Sequence, residues 1–212
     1  RGPVMMEVLN RAGVDSAQVG QVVGGCINKV GAQAMNITRT AWLTAGLPIS
    51  TAATTVDSQC GSSQQATNFA TSLIGSGVVD VAVACGVEVM SRVPMGSSLG
   101  EGVGKAIPKS YFEKYEWTTQ FEGAERIAEK WGITRDETDA LGLLSQQRAA
   151  QAWAEDRFST QIVEVDAPDL GEDGKPTGAT RRVSRDQGLR DTTMEGLAQL
   201  KTMVPGGIIT AG

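Results

Sequence analysis

TAATTVDSQCGSSQQATNFATSLIGSG, residues 51–77, is the stretch around which the rest of the chain is organised. Its β-branched start predicts a short strand that ends at residues 56–57, followed by a polar turn. A helix then begins immediately after Cys60, because apolar residues recur at helical spacing. The residues that we expect to form its buried face are Ala66, Phe69, Ala70, Leu73 and Ile74. Gly75 and Gly77 are typical of a helix end.

The position of Cys60 at the start of a helix has two interpretations. The backbone N–H groups and the dipole of a helix N-terminus favour an anion, and the thiolate is the reactive form of cysteine. The alternative is a small apolar cysteine buried at a strand–helix junction, which is common in folded proteins. Position alone leaves nucleophile and core residue equally open.

The composition of the 212 residues narrows the class of protein. A hydrophobic fraction of 41% predicts a globular chain, and a net charge of −5 argues against a nucleic-acid or acidic-membrane surface. No apolar run approaches the ~20 residues of a membrane span, and no signal-peptide pattern opens the chain. Three cysteines, Cys26, Cys60 and Cys85, are too few and odd in number for a disulfide scaffold, which favours a reducing, cytoplasmic setting.

The chain contains no histidine, although roughly five would be ordinary at this length. A nucleophilic cysteine normally needs a base, most often histidine. Either Cys60 is not catalytic, or its base lies on a part of the protein outside this chain. The start without methionine and the end at Gly212 after an apolar run favour a truncated sequence.

Strand and helix patterns alternate over residues 1–92. Residues 4–12 and 37–45 predict helices, the second with Asn36 as its N-cap. Residues 19–26 and 78–86 predict strands, and the second is apolar enough to be covered on both faces, as in a parallel sheet. This alternation predicts an α/β layered domain.

The composition changes near residue 93. Residues 1–92 carry 5 Lys/Arg and 5 Asp/Glu, whereas residues 93–212 carry 14 and 19. This change predicts a domain boundary or a large insertion. Gly100, Gly102 and Gly104 lie just beyond it, and they favour a flexible connector over a phosphate loop because no Lys-Ser/Thr pair follows them.

The second half of the chain begins with an aromatic cluster. Five of the ten aromatic residues lie within residues 111–121, where they either pack together or line a pocket for a bulky apolar ligand. Residues 121–131 predict a helix, and a capping box at Thr134 and Glu137 opens a longer one to about residue 156. Residues 162–165 and 180–183 predict a strand pair around the turn 171–178, and residues 206–210 predict a final strand.

Four ordered motifs resemble the thiolase family. VDSQCGSSQQA at 56–66 is similar to its nucleophile motif, and CGVEVMS at 85–91 to its G-G-x-E-x-M-S segment. DQGLRDTTMEGLAQLK at 186–201 resembles the exit from its loop domain, and IITAG at 208–212 the start of T-V-T-A-G-N. The sequence around residues 36–48, 60 and 186 is most similar to that of actinobacterial steroid-degrading 3-ketoacyl-CoA thiolases.

The resemblance implies a fold and a division of the chain. Thiolases have layered αβα halves with an α+β loop domain inserted after the first. The implied domains are 1–92, an incomplete first half with the nucleophile; 93–207, the CoA-binding loop domain; and 208–212, the start of the return to the remainder. The family assembles as homodimers or homotetramers, with the strand before the nucleophile near the two-fold axis.

The resemblance also implies a reaction. In thiolases the cysteine that corresponds to Cys60 attacks a 3-oxoacyl-CoA, acetyl-CoA leaves, and CoA removes the acyl group from the cysteine. Coenzyme A is thus a co-substrate, with no tightly bound cofactor or metal. The residues that the motifs place near CoA or the substrate are Arg190, Gly196, Ala211 and, at the pocket mouth, Trp117. Arg190 has an alternative, since a lone arginine also pairs with nearby acidic residues.

Several residues and segments that the thiolase family uses in catalysis are missing from this sequence. The chain covers about half of a thiolase, without the first strand, the catalytic histidine, the second cysteine or the asparagine–water oxyanion site. Neither Cys26 nor Cys85 matches the second cysteine. We therefore expect that these residues alone do not complete turnover, because acid–base catalysis is worth roughly 10²–10⁴ in rate. A condensing enzyme of the same fold and a non-catalytic thiolase-like binding protein are the alternatives.

Overall fold

The computed structural model of the chain describes residues 3–99, 102, 104–171 and 175–212. It divides into two compact units, Arg1–Ala106 and Ile107–Gly212. Residues 93–106 group with the first unit, where Val93 is buried and the Ser98 hydroxyl donates to Asn28 Oδ1 at 3.4 Å. The family-based domains 1–92, 93–207 and 208–212 stay predictions.

The first unit is built on a three-stranded parallel sheet. Its helices and strands alternate along the chain as α1 (Pro3–Ala12), β1 (Gln21–Gly25), α2 (Ile37–Thr44), β2 (Ala52–Val56), α3 (Ser62–Gly75) and β3 (Ala82–Gly86). The strand order is β2-β1-β3, so β1 lies in the centre. The carboxyl ends of all three strands meet at one edge of the sheet, and the predicted α/β class is confirmed.

Helices cover both faces of β1, because two adjacent glycines let them approach. A Cβ on Gly24 would collide with the Thr38 side chain of α2, whereas a Cβ on Gly25 would collide with the first turn of α3. Successive residues of a strand point to opposite faces, so α2 and α3 lie on opposite sides of the sheet. This arrangement gives the α/β/α layers of the unit.

The hydrophobic core lies on the side of α1 and α2. Its buried residues are Met5, Leu9, Val19, Val22, Trp42 and Val83. Trp42 is fully buried, and its indole N–H donates to the Pro48 carbonyl at 2.8 Å, so the one polar atom of the ring is satisfied. On the opposite face, Ala66 and Ala70 of α3 are buried, but Phe69 and Ile74 are each more than 40% exposed. The predicted apolar face of α3 is therefore covered only in part.

The described residues of the second unit form three α-helices and a hairpin. They are α4 (Gln120–Trp131), α5 (Arg135–Ala154), β4 (Val165–Leu170), β5 (Pro176–Val183) and α6 (Met194–Ala198), with β4 and β5 antiparallel. The capping box of Thr134 and Glu137 opens α5 as predicted. α4 begins with a second capping box, formed by Thr119 and Glu122, and ends at Gly132 in the left-handed conformation.

Two strand predictions in this unit are wrong. The first strand of the hairpin is Val165–Leu170 rather than residues 162–165, and part of the turn, residues 172–174, lies outside the described residues. Residues 206–210 form no strand, because the Ile208 and Ile209 N–H groups donate to the Glu125 carboxylate at 2.8–3.0 Å instead of to a neighbouring strand. Of the glycine connector, Gly100 also lies outside the described residues.

Candidate functional site

Cys60 lies in the turn that joins β2 to α3, at the carboxyl edge of the parallel sheet. β2 ends at Val56, and α3 begins at Ser62 with Gly61 as its N-cap. Cys60 is exposed, whereas Cys26 is buried and Cys85 is half-buried. The interpretation of Cys60 as a buried core residue is therefore wrong.

Side chains on both sides of Cys60 fix the turn. Gln59 has a φ of 53°, a left-handed conformation that costs a non-glycine residue roughly 1–2 kcal/mol. Its N–H donates to Asp57 Oδ1 at 2.9 Å, and its carbonyl accepts from the hydroxyl of buried Ser62 at 2.6 Å. The same hydroxyl accepts from the Ser58 N–H at 3.0 Å. These bonds hold the strained backbone that presents Cys60.

The helix N-terminus contributes less to the site than its position suggests. The Gly61 N–H donates to the Ser58 carbonyl at 3.1 Å, and the Ser62 N–H donates to the Gln59 carbonyl at 3.0 Å. Both groups therefore serve the turn, and they are not free to bind an anion. The influence of α3 on a thiolate at Cys60 is limited to its dipole and later N–H groups.

Two glycines allow the turn that carries Cys60 to lie close to the sheet. Gly25 and Gly86 are register partners at the ends of β1 and β3. A Cβ on Gly25 would lie 2.5 Å from Ser63 N, and a Cβ on Gly86 would lie 2.9 Å from Ser63 Cβ. The first turn of α3 thus lies directly on the glycine pair, and any side chain there would lift α3 and Cys60 off the sheet.

Cys60 opens onto a cavity of about 310 Å³. Three segments form its walls: the end of β1, the end of β3 and the turn of Cys60. The lining residues are Gly25, Cys26, Ile27, Gln59, Cys60, Ser62, Ser63, Gly86, Val87 and Glu88. Open α/β sheets bind ligands outside the carboxyl ends of their strands, which is where this cavity lies.

The other two thiols are poorly suited to attack a substrate. Burial, and next the charge of Glu88, raise the pKa of Cys26, whose sulfur lies 3.9 Å from Glu88 Oε2. Burial raises the pKa of Cys85 to about 11, so its thiolate fraction at pH 8 is about one in a thousand. Cys85 also does not line the cavity.

The residues predicted to bind CoA or substrate lie in the second unit. The Arg190 N–H donates to Gln146 Oε1 at 3.1 Å, and within the described ranges no carboxylate pairs with its guanidinium. The Gly196 N–H donates to Thr193 Oγ1 at the start of α6, and Ala211 is exposed. The Trp117 ring packs edge-on against Tyr111 and is 54% exposed. Their roles stay predictions.

Sequence reasoning missed three residues of the site. Gly25, Gly86 and Glu88 line the cavity with Cys60. The signals were present, since two glycines end the run at 19–26 and Glu88 stands inside the CGVEVMS motif. These residues are recognised as part of the site only because β1 and β3 bring them next to Cys60, and a single sequence does not show which strands are neighbours.

Comparison with known proteins assigns the chain to a family. Residues 2–212 match the model of the thiolase N-terminal domain. The chain belongs to the thiolase family. A steroid 3-ketoacyl-CoA thiolase of Mycobacterium tuberculosis is 40% identical over 96% of this chain and 49% of the relative.

Two further thiolases are similar over nearly the whole chain. A beta-ketoadipyl-CoA thiolase of Acinetobacter baylyi is 36% identical over 99% of the chain and 55% of its own length. A 3-ketoacyl-CoA thiolase of Bacillus subtilis is 34% identical over 97% of the chain and 53% of its own length. The chain thus spans about half the length of these curated relatives. Among the described residues, no helix is long and apolar enough to span a membrane.

Proposed function

We propose that Cys60 is the nucleophile of a thiolytic acyltransferase that cleaves a 3-oxoacyl-CoA. The observation that supports this most is the exposed thiol, held in a strained, hydrogen-bonded turn over a cavity at the carboxyl edge of the sheet. Strain that the surroundings maintain is typical of functional positions. A thiolate is also intrinsically nucleophilic, which suits attack on a carbonyl carbon.

The proposed reaction has two steps. Cys60 Sγ bonds to the 3-keto carbon, the bond between C2 and C3 breaks, and its electron pair leaves as the acetyl-CoA enolate, which takes up a proton. The shortened acyl group stays on Sγ as a thioester. The thiolate of a second CoA then attacks that acyl carbon, and Cys60 leaves as a thiolate. Holding the carbonyl and Sγ in one cavity supplies the orientation on which such steps depend.

The cavity supports no assignment of the proton transfers. The chain contains no histidine. Glu88, the one carboxylate among the described residues that line the cavity, already accepts hydrogen bonds from three nitrogen donors. We therefore assign to this chain the nucleophile and the cavity around it, and we assign the general acid and base to none of the cavity residues.

CoA recognition is proposed for the second unit. Arg190 carries a guanidinium without a carboxylate partner in the described part of the chain, which suits a phosphate of the CoA nucleotide. Gly196 and Ala211 are small and leave room for the pantetheine arm. Trp117 offers an exposed ring that suits contact with an apolar part of the substrate. The acyl substrate is proposed to derive from lipid or steroid degradation, because the similar protein of Mycobacterium tuberculosis is a steroid 3-ketoacyl-CoA thiolase.

The direct test is thiolysis by the complete protein. We expect a 3-oxoacyl-CoA to disappear only when free CoA is present, with acetyl-CoA and a shortened acyl-CoA formed in equal amounts. The measurement is the loss of the absorbance of the 3-oxoacyl-CoA enolate, together with chromatography of the CoA esters. Release of the free acid in place of a shortened acyl-CoA, or no reaction with any chain length, would contradict the proposal.

A further inference from the structure

The Glu88 carboxylate lies at the centre of a hydrogen-bond cluster beside the Cys60 cavity. Its Oε2 accepts from the Ile27 N–H at 2.9 Å. Its Oε1 accepts from Asn28 Nδ2 at 3.2 Å and from Gln33 Nε2 at 2.8 Å. Both amide side chains belong to buried residues, each 3% exposed. Polar side chains buried this deeply are costly unless they are paired, so the cluster is held together from all sides.

Gln33 closes the cluster from the opposite direction. Its Oε1 accepts from the Val89 N–H at 2.7 Å, while its Nε2 also donates to the Asn28 carbonyl at 2.9 Å. The segment after β1 therefore donates to Glu88 after β3, and the segment after β3 donates back to Gln33. Residues about 60 positions apart in the chain are clamped in both directions.

The clamp coincides with two walls of the cavity. Ile27 and Glu88 both line the cavity onto which Cys60 opens, one from the β1 side and one from the β3 side. The β1–β3 register ends at Gly25 and Gly86, and the last backbone bonds there run from the Val87 N–H to the Gly25 carbonyl and from the Cys26 N–H to the Val56 carbonyl. Beyond these residues, the hydrogen bonds of Glu88 with Ile27, Asn28 and Gln33 hold the two segments together in place of strand pairing. The width of the cavity opposite Cys60 therefore depends on these bonds.

The charge state of Glu88 fits a clamp, and its lowered pKa makes it a weaker base than an ordinary carboxylate. Burial acts to raise the pKa of this carboxyl, but the hydrogen bonds from Gln33, Ile27 and Asn28 outweigh it and lower the pKa. Glu88 is therefore ionised at neutral pH, and the stabilisation it provides is lost only as the pH falls through the lowered value.

We propose that Glu88 is a positioning residue, whose carboxylate holds the segments after β1 and β3 at the separation that lets the 3-keto carbonyl of the substrate reach Cys60 Sγ. The inference rests on the proposed function of Cys60. In this role Glu88 neither contacts Cys60 Sγ nor transfers a proton. It acts through the two segments of the cavity wall that it holds in place. Misplacing a reacting group by about 1 Å can cost 10²-fold in rate.

The first test is Glu88→Gln in the complete protein. The amide keeps the size of the side chain but offers one accepting oxygen, so its NH₂ group faces either Ile27 N–H or the amides of Asn28 and Gln33. We expect kcat to fall about 10- to 100-fold. KM for CoA should stay within twofold, because the proposed CoA residues lie in the second unit. Glu129→Gln on exposed α4 is the matched control and should leave kcat unchanged.

A double variant tests whether Glu88 and Gln33 act as one clamp. Both changes in Glu88→Gln, Gln33→Met break the same cluster, so we expect the double variant to keep kcat within about threefold of Glu88→Gln alone. If Glu88→Gln does not fold, Gln33→Met removes one donor and the Val89 contact, and kcat should fall at least fivefold. A kcat within twofold of wild type in the folded single variant, or a folded double variant in which the two losses in kcat multiply, overturns the inference.

The variants Cys60→Ser and Glu88→Gln distinguish a failure of the proposed function from a failure of the positioning role. If Cys60→Ser retains thiolysis, Cys60 is not the nucleophile, whatever Glu88 does. If Cys60→Ser is inactive and Glu88→Gln keeps wild-type kcat, only the positioning role is wrong. A lower melting temperature of Glu88→Gln with unchanged kcat per folded molecule also overturns the positioning role, because a purely structural residue would affect stability alone.

Discussion

Replacement of Cys60 by serine is expected to lower kcat for thiolysis by at least about 10³-fold, because loss of a covalent nucleophile is among the largest single effects in enzymes. A serine hydroxyl has nearly the same size but remains protonated and weakly nucleophilic at neutral pH. Cys60 is exposed and its side chain belongs to no core cluster, so the substitution should change the free energy of unfolding by less than about 0.5 kcal/mol. The measurement is steady-state thiolysis beside chemical denaturation.

Cys85→Ala is the matched thiol control. Cys85 packs against the core at the end of β3 and does not line the Cys60 cavity, so kcat should stay within threefold of wild type even if stability falls. Retention of more than a tenth of wild-type kcat by Cys60→Ser would contradict the assignment. An equal loss in Cys85→Ala would show that activity depends on the core rather than on the thiol in the turn.

Substitution of Gly25 by alanine is expected to damage both stability and activity. The added Cβ would lie 2.5 Å from Ser63 N and 2.6 Å from the Ser62 carbonyl carbon, which are backbone atoms that move only with α3 as a whole. Such overpacking typically costs about 1–3 kcal/mol. Because Ser62 also binds the turn at Ser58 and Gln59, the displacement reaches Cys60, and kcat should fall about 10²-fold.

The control for this variant lies at the other end of the same helix. A Cβ on Gly75 meets no atom within 4 Å, so Gly75→Ala should be neutral or stabilise by up to about 1 kcal/mol. Thermal unfolding and the rate of Cys60 alkylation by iodoacetamide measure the two effects. Wild-type stability and alkylation in Gly25→Ala would show that α3 does not rest on the glycine pair.

Local signals made much of the fold predictable. Asn36 caps α2, Thr134 and Glu137 cap α5, and Gly132 ends α4, because each depends on residues within one helical turn. Apolar runs placed β1 and β3 for the same reason. The strand at 206–210 failed although its residues suit a strand, because Glu125, more than 80 positions away, binds its N–H groups.

The site shows the same division between local and distant determinants. Cys60 stood out because the turn and helix that present it are contiguous in the sequence. The glycine pair and the Glu88 cluster depend on the register of β1 against β3, which places Gly25 beside Gly86 and Ile27 beside Glu88. That register follows from packing of the whole sheet, and no local pattern specifies it.

The most direct test of the central role of Cys60 is to trap and locate the acyl group. The complete protein is incubated with a 3-oxoacyl-CoA without free CoA, quenched in acid and mapped by peptide mass spectrometry. We expect one acyl group on the peptide that contains Cys60, its loss when CoA is added, and none in Cys60→Ser. An acyl group on Cys26, Cys85 or a lysine, or turnover without any acylated Cys60, would contradict the assignment of Cys60 as the nucleophile.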